Sequence, residues 1–408
     1  MSPDTPLVTT APSSVDTPDS AATSTSADAP GPSDAITSSA AFDALETPVA
    51  LVDVDVMRAN LRRAADYCRA HGLDWRPHAK THKSSALARE QREAGAIGVT
   101  VATLREAEVM AGAVDDLLLA YPPVGASKLR RLAGLPAHVR VTVALDSADA
   151  LRGVAEAARA AGRAFGILVE VDAGMGRVGL CTPAEAVALA REAASTEGIE
   201  FRGLMFYPGH VRSHVGEQDD AIRRVSATIA GFRAALVEAG LAPRVVSGGS
   251  TPTFWRSHEI EGITEVRPGT SIFNDRTTAE IGACGWSEVA YSVLATVVST
   301  AVPGQAVVDA GSKALAKEEI RADVSGYGAL LDRPGVVVKS VSEEHGLLDL
   351  SGTDWRPRVG ERVRIVPNHV CASVNLQERL YGVRGGEVVE RWEVQARGRG
   401  RWVPDAAT

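Results

Sequence analysis

From Thr47 onward the chain alternates between two textures. Short β-branched and apolar runs are separated by Ala/Arg/Glu-rich stretches of helical period. The runs are VALVD (49–53), DWRPHA (74–79), GVTVA (98–102), DLLLAY (116–121), RVTVAL (140–145), GILVEVD (166–172), RGLMFYP (202–208) and RVVSGG (244–249). Amphipathic segments such as VMRANLRRAADYCRAH and PAEAVALAREAAS fall between them. Near-continuous apolar runs mark strands buried on both faces, as in a parallel sheet covered by helices. Eight strand–helix units over about 220 residues are what a (β/α)8 TIM-type barrel requires. A doubly wound α/β sheet is the competing architecture.

Past Val289 the pattern becomes β-rich. VLATVVSTAV, QAVVDAG, GVVVKSVSEEHGLLDL, ERVRIVPNH and LYGVRGGEVVERWEV are broken by Gly, Asp and Pro, with no long helix between them. This predicts a second, mostly antiparallel β domain over residues 289–408, after a barrel over residues 43–288. Residues 1–42 are Ser, Thr, Pro, Asp and Ala with almost no large apolar side chain. Such a tail cannot bury enough surface to offset its ordering entropy, which predicts disorder.

Composition narrows the partners. A net charge of −8 argues against nucleic acid or an anionic membrane surface, since either demands a broad excess of Lys and Arg. Cys68, Cys181, Cys284 and Cys371 are far apart with no CxxC pair, so neither a disulfide scaffold nor a zinc-finger spacing is present. No signal-peptide pattern and no apolar run of about 18 residues occurs, which predicts a cytoplasmic protein.

In a barrel of this type reactive groups sit in the loops that follow the strands. Counted on the eight runs, Lys80 follows the second strand, DAGMGRVG (172–179) the sixth, YPGH (207–210) the seventh and SGGSTPT (247–253) the eighth. Lys80 lies in RPHAKTHKS, among Arg76, His78, His82 and Lys83. Cationic neighbours disfavour an ammonium, as a lysine used as a covalent amine or base requires. A solvated basic turn is the bland alternative. SGGSTPT and EVRPGT join glycines to the hydroxyls of Ser250, Thr251 and Thr270 beside Gly269, and two such loops can hold one phosphate, while for each loop alone a tight turn is an equal reading. In PNHVC, His369 and Cys371 stand two apart; on a strand both would share a face, and imidazole with thiolate suits zinc. A packed Cys and a hydrogen-bonded His is the plainer reading.

Taken in order, TPVALVD, RPHAKTHK, VDAGMGRVG, YPGH, SGGSTPT, EVRPGT, VDAGSKAL, SEEHG and PNHVC resemble the fold-type III pyridoxal-phosphate enzymes. The resemblance is to the D-serine dehydratase and D-threonine aldolase group, relatives of alanine racemase. It runs from about Thr47 to Arg401 and leaves out the tail. It implies that Lys80 carries pyridoxal 5'-phosphate as a Schiff base, that Arg177 faces the cofactor's phenolic oxygen and Tyr207 its ring nitrogen. Ser250, Thr251, Gly269 and Thr270 would hold the phosphate. His369 and Cys371 match the metal pair of the dehydratases, with zinc favoured by the cysteine, whereas the aldolases more often carry Asp at the second position. Ser271 departs from the aromatic residue expected there. A homodimer is implied, in which the second domain of one subunit helps complete the partner's site, with VDAGSKAL and SEEHG as candidate segments; a surface turn is the plainer reading of each.

The implied activity is a lyase acting on a β-hydroxy-D-amino acid, with a D-serine dehydratase-like outcome of 2-oxo acid and ammonia. Lys80 would take the α-proton and the metal would help the β-hydroxyl leave. The alternative is retro-aldol cleavage to glycine and an aldehyde, with His210 as base or as a mere neighbour of the cofactor's contacts. An amino-acid racemase would need a second base, for which Tyr291 and Tyr327 are available.

Overall fold

The computed structural model describes Phe42, residues 44–320 and residues 324–398. The tail lies outside the described residues except for Phe42, which is no tail residue: it is fully buried against Leu51, Leu294 and Val383.

In chain order the strands of the N-terminal part are β1 (Val49–Asp53), β2 (Asp74–Trp75), β3 (Val99–Val101), β4 (Asp116–Leu119), β5 (Arg140–Leu145), β6 (Phe165–Glu170), β7 (Ile199–Met205), β8 (Val245–Gly248) and β9 (Glu265–Val266). Eight of them form one parallel sheet in the order β2-β9-β8-β7-β6-β5-β4-β3. The sheet closes on itself where Thr100 N–H bonds Pro77 O and Ala79 N–H bonds Thr100 O, each at 2.8 Å. The fold class expected from the alternation is therefore present, but β1 is not one of its staves. Its place is taken by β9, so Lys80 follows the first barrel strand, SGGSTPT the seventh and RPGT the eighth. That correction puts both hydroxyl loops after strands seven and eight, where barrels commonly bind phosphate.

The strands form as the pattern demands: β4 and β6 are buried at every position. Helices between them start on side-chain caps. Ser147 caps Ala148–Ala161, and Thr182 with Glu185 makes a capping box ahead of Pro183.

Inside the barrel, Arg76 Nε meets Glu265 Oε2 at 2.7 Å and its Nη1 meets Asp116 Oδ1 at 2.8 Å. Glu265 also accepts from Ser247 Oγ at 2.5 Å, and Arg267 donates to Ser247 Oγ at 2.5 Å and to Phe206 O at 2.8 Å. Lys83 Nζ pairs with Glu106 at 2.5 Å, and His82 Nε2 meets Gln91 Oε1 at 3.1 Å. This corrects the crowding idea. Arg76 and Lys83 are neutralised by buried carboxylates, and burial pushes His82 down to about 4, so it is uncharged.

The second sheet contains β10 (Tyr291–Ser299), β11 (Gln305–Val308), β12 (Gly328–Leu330), β13 (Val338–Val341), β14 (Gly346–Asp349), β15 (Arg362–Pro367), β16 (Arg379–Arg384) and β17 (Glu387–Glu393). Its order is β13-β14-β11-β10-β1-β16-β17, with β15 pairing β10 and β12. Here β1 finds its partners, antiparallel to β10 and parallel to β16. The VDAG motif is structural: Asp309 accepts from Thr47 Oγ1 at 2.5 Å and from Thr296 N–H at 2.8 Å. Lys313 pairs with Glu343 and Glu344 on the surface, at 2.8 and 3.0 Å. His369 and Cys371 are not on a strand; they begin the helix Val370–Val374, with His369 as its N-cap.

Candidate active site

The loops after β2, β6, β7, β8 and β9 meet at one end of the barrel. Lys80 leaves β2 in a turn where its backbone N–H reaches His78 Nδ1 at 3.4 Å, and its Nζ lies 6.0 Å from the centre of the Tyr207 ring. The Arg177 guanidinium lies 5.0 Å from the same ring. Amine and guanidinium thus both stand against the one phenol ring. Burial, with help from Lys80, Arg267 and Lys83, holds His78 well below the ordinary imidazole range, so it is neutral beside the amine.

Arg177 is presented by a loop wound around one carboxylate. Asp172 Oδ1 accepts the backbone N–H groups of Gly174 at 3.0 Å, Met175 at 2.8 Å and Gly176 at 3.1 Å. His210, exposed on the loop after β7, packs on it: a Cβ on Gly174 would come within 3.3 Å of its ring. Gly209 cannot be replaced freely, because a Cβ there would collide with the Tyr207 ring.

Ser250 caps the 3-10 helix Thr251–Glu259, and Thr270 opens the 3-10 turn Thr270–Ile272. The two turns are joined by Thr270 N–H donating to Thr251 Oγ1 at 3.1 Å. Ser250, Thr251 and Thr270 are buried, and Ser271, where an aromatic was expected, is buried in the same turn. A Cβ on Gly269 would stand 2.7 Å from Thr81 Oγ1, so the loop carrying Lys80 lies directly on this turn.

The second domain reaches the same place. Cys371 Sγ is 3.2 Å from Thr81 Oγ1 and 3.8 Å from Thr270 Oγ1. His369 Nδ1 is 3.1 Å from Asp275 Oδ2. Burial pushes the Cys371 thiol up, but His369 and Lys80 pull it further down, to about 7. The thiolate in turn raises His369 against the effect of burial.

The residues present fit both groups that the sequence implied. A phosphate would find three buried hydroxyls and a glycine that admits close approach, within one residue's contact of Lys80. The donor chemistry of a thiol with a depressed pKa next to an imidazole suits a soft divalent cation such as zinc. Among the described residues no third His, Cys, Asp or Glu completes a cluster, so such an ion would take its remaining donors from water or substrate. Asp275, Thr81, Glu170 and Arg267 were missed by the sequence reading. Thr81 and Arg267 had a visible signal, lying inside RPHAKTHKS and EVRPGT. Glu170 is buried at the end of β6, and nothing local marks Asp275 in NDR.

Comparison with known proteins follows the same division. Residues 52–277 match the family model of the alanine racemase N-terminal domain, and residues 290–383 that of a serine dehydratase domain. The 3-hydroxy-D-aspartate aldolase of Paracoccus denitrificans is 33% identical over 87% of this chain and 93% of its own length. The D-threo-3-hydroxyaspartate dehydratase of Delftia sp. is 34% identical over 86% of this chain and 97% of its own. The crystal structure of D-threonine aldolase from Filomicrobium marinum superposes with a TM-score of 0.80 at 36% identity, covering 86% of this chain and 96% of that one.

Proposed function

Because this chain belongs to the fold-type III pyridoxal-phosphate lyases that join an alanine racemase-type barrel to a serine dehydratase-type domain, we propose that it is a metal-assisted lyase of β-hydroxy-D-amino acids with a dehydratase outcome. The observation that carries the reading is the 3.2 Å contact between Cys371 Sγ and Thr81 Oγ1, which sets the donor pair one residue away from Lys80. A zinc ion, a homodimer and a cytoplasmic setting belong to the same proposal; no helix among the described residues is long and apolar enough to cross a membrane.

When bound, pyridoxal phosphate supplies an electron sink for negative charge at the substrate's Cα, and a divalent cation supplies a Lewis acid for the β-hydroxyl. Lys80 would hold the cofactor at rest and, once displaced by the substrate amine, take the proton from Cα at Nζ. A single base approaching from one face selects one enantiomer. Neutral His78 beside it adds no charge to oppose that transfer. Arg177 would hold the phenolic oxygen and Tyr207 the ring nitrogen, while Ser250, Thr251, Gly269 and Thr270 would anchor the phosphate. His369 and Cys371 would hold the metal where the β-substituent leaves.

The named relatives divide between aldolase and dehydratase at 33% and 34% identity, so similarity does not choose; the sulfur donor at position 371 favours the dehydratase. Retro-aldol cleavage would instead need a base on the β-hydroxyl, and His210 on the rim is the group for it. The racemase reading loses Tyr291, whose hydroxyl is fully buried and bonded to Ser373 Oγ at 2.8 Å. The test is to incubate the enzyme with D-serine, D-threonine and 3-hydroxy-D-aspartate and identify products, before and after chelation. A 2-oxo acid with ammonia, lost on chelation while the cofactor's absorbance stays, is expected. Glycine with an aldehyde would replace the dehydratase by the aldolase, and full turnover after chelation would remove the metal's role.

A further inference from the structure

The hydrogen bond made by His369 crosses between the two parts of the fold. Its acceptor, Asp275, lies five residues after the Thr270 turn and is fully buried. Besides His369 Nδ1 at 3.1 Å, Asp275 Oδ2 accepts the Val370 backbone N–H at 3.0 Å. Its Oδ1 accepts the Thr278 N–H at 2.9 Å and the Thr278 hydroxyl at 3.0 Å. A carboxylate has about four lone-pair sites, and all are engaged in one geometry. It therefore cannot turn to follow the imidazole; the imidazole must conform to it. A ring whose Nδ1–H is given to a fixed carboxylate has only Nε2 left to offer a cation, and that nitrogen is aimed in one direction.

We propose that Asp275 is a positioning residue that fixes His369 in the Nδ1–H form and presents Nε2, together with Cys371 Sγ, to the metal. This rests on the reading of His369 and Cys371 as metal donors. The placement gives segment 269–275 two tasks, with the phosphate-binding turn at its start and the orienting carboxylate at its end. The loop after the last barrel strand thus registers the second domain's donor pair against the cofactor.

Zinc affinity of the cofactor-loaded enzyme, measured by competition with a chelating dye, tests this without reference to turnover. D275N is expected to bind zinc about 10- to 100-fold more weakly while keeping the cofactor's absorbance. T277V removes the hydroxyl that donates to Asn368 O at 2.6 Å, a neighbouring contact between the two parts that leaves all four contacts of the Asp275 carboxylate in place, and it is expected to bind zinc as the wild type does. Equal affinity in D275N and wild type would overturn the inference, as would equal loss in both variants, which would mean general loosening. A wild type that takes up no zinc would remove the metal reading itself. Should D275N not fold, long-range 1H–15N spectra of the 15N-histidine-labelled wild type decide: zinc is expected to move the Nε2 resonance of His369, and movement at Nδ1 instead would overturn the assignment.

Discussion

Arg76, His82 and Lys83 stand within eight positions of one another, yet each is committed to a different partner: Glu265 with Asp116, Gln91, and Glu106. The charge density that draws attention in the sequence is cancelled by carboxylates 23 to 189 residues away. Glu170 shows the converse. Nothing in EVDAG distinguishes it, but burial pushes its carboxyl up to about 7, with Arg267 and Arg177 opposing and Asp146 assisting. Its folded form favours the proton, so its contribution to stability is complete below the ordinary value of 4.5 and fades as pH rises through about 7. Glu170→Gln stays neutral throughout. The variant is expected to melt higher than wild type at pH 8, by the equivalent of about 3 kcal/mol, and to show a flatter melting curve against pH between 5 and 8. Parallel pH profiles for the two proteins would show that the carboxyl is not perturbed.

At the scale of elements, the loops that follow strands are where local sequence and site coincide. SGGSTPT and RPGT were legible because glycines and hydroxyls in short turns carry their own meaning, whichever strand precedes them. Which strand precedes them was not legible: β9 has two residues, too few for any periodicity to register, and DWRPHA shrinks to a two-residue β2 for the same reason. A shared strand face for His369 and Cys371 was one option, but the strand RVRIVP ends at Pro367 and the chain turns into a one-turn helix at His369. The packing of the Lys80 turn on the Gly269–Thr270 turn gives a prediction. In Gly269→Ala the new Cβ would meet Thr81 Oγ1 at 2.7 Å and His78 Cβ at 3.1 Å. Overpacking of this kind costs about 1–3 kcal/mol, so cofactor affinity is expected to fall on the order of tenfold, read by absorbance titration of the cofactor-free protein. Undiminished affinity would show that the two turns can separate at no cost.

Across the whole molecule the decisive feature is β1, which precedes the barrel in sequence yet lies between β10 and β16 of the second sheet. The second domain is therefore not a contiguous piece of chain. A fragment spanning residues 289–408 would lack an interior strand and expose two unpaired edges, and it is expected to elute as aggregate with no cooperative melting transition. A fragment that melted cooperatively as a monomer would show β1 to be dispensable. The sequence by itself determined the alternation that makes a barrel, the switch to a β-rich second part, and which Gly- and hydroxyl-bearing turns follow the strands, since these depend on near neighbours and on the periods of helix and strand. Only the tertiary structure decided which sheet receives β1, which carboxylates neutralise the basic cluster, and how His369 is held by Asp275. Those outcomes join residues 94 or more positions apart in some cases and 23 in the nearest. Partners so distant are chosen by the packing of the complete chain, because burying a charge or an open strand edge is tolerable only where something else has been brought to satisfy it.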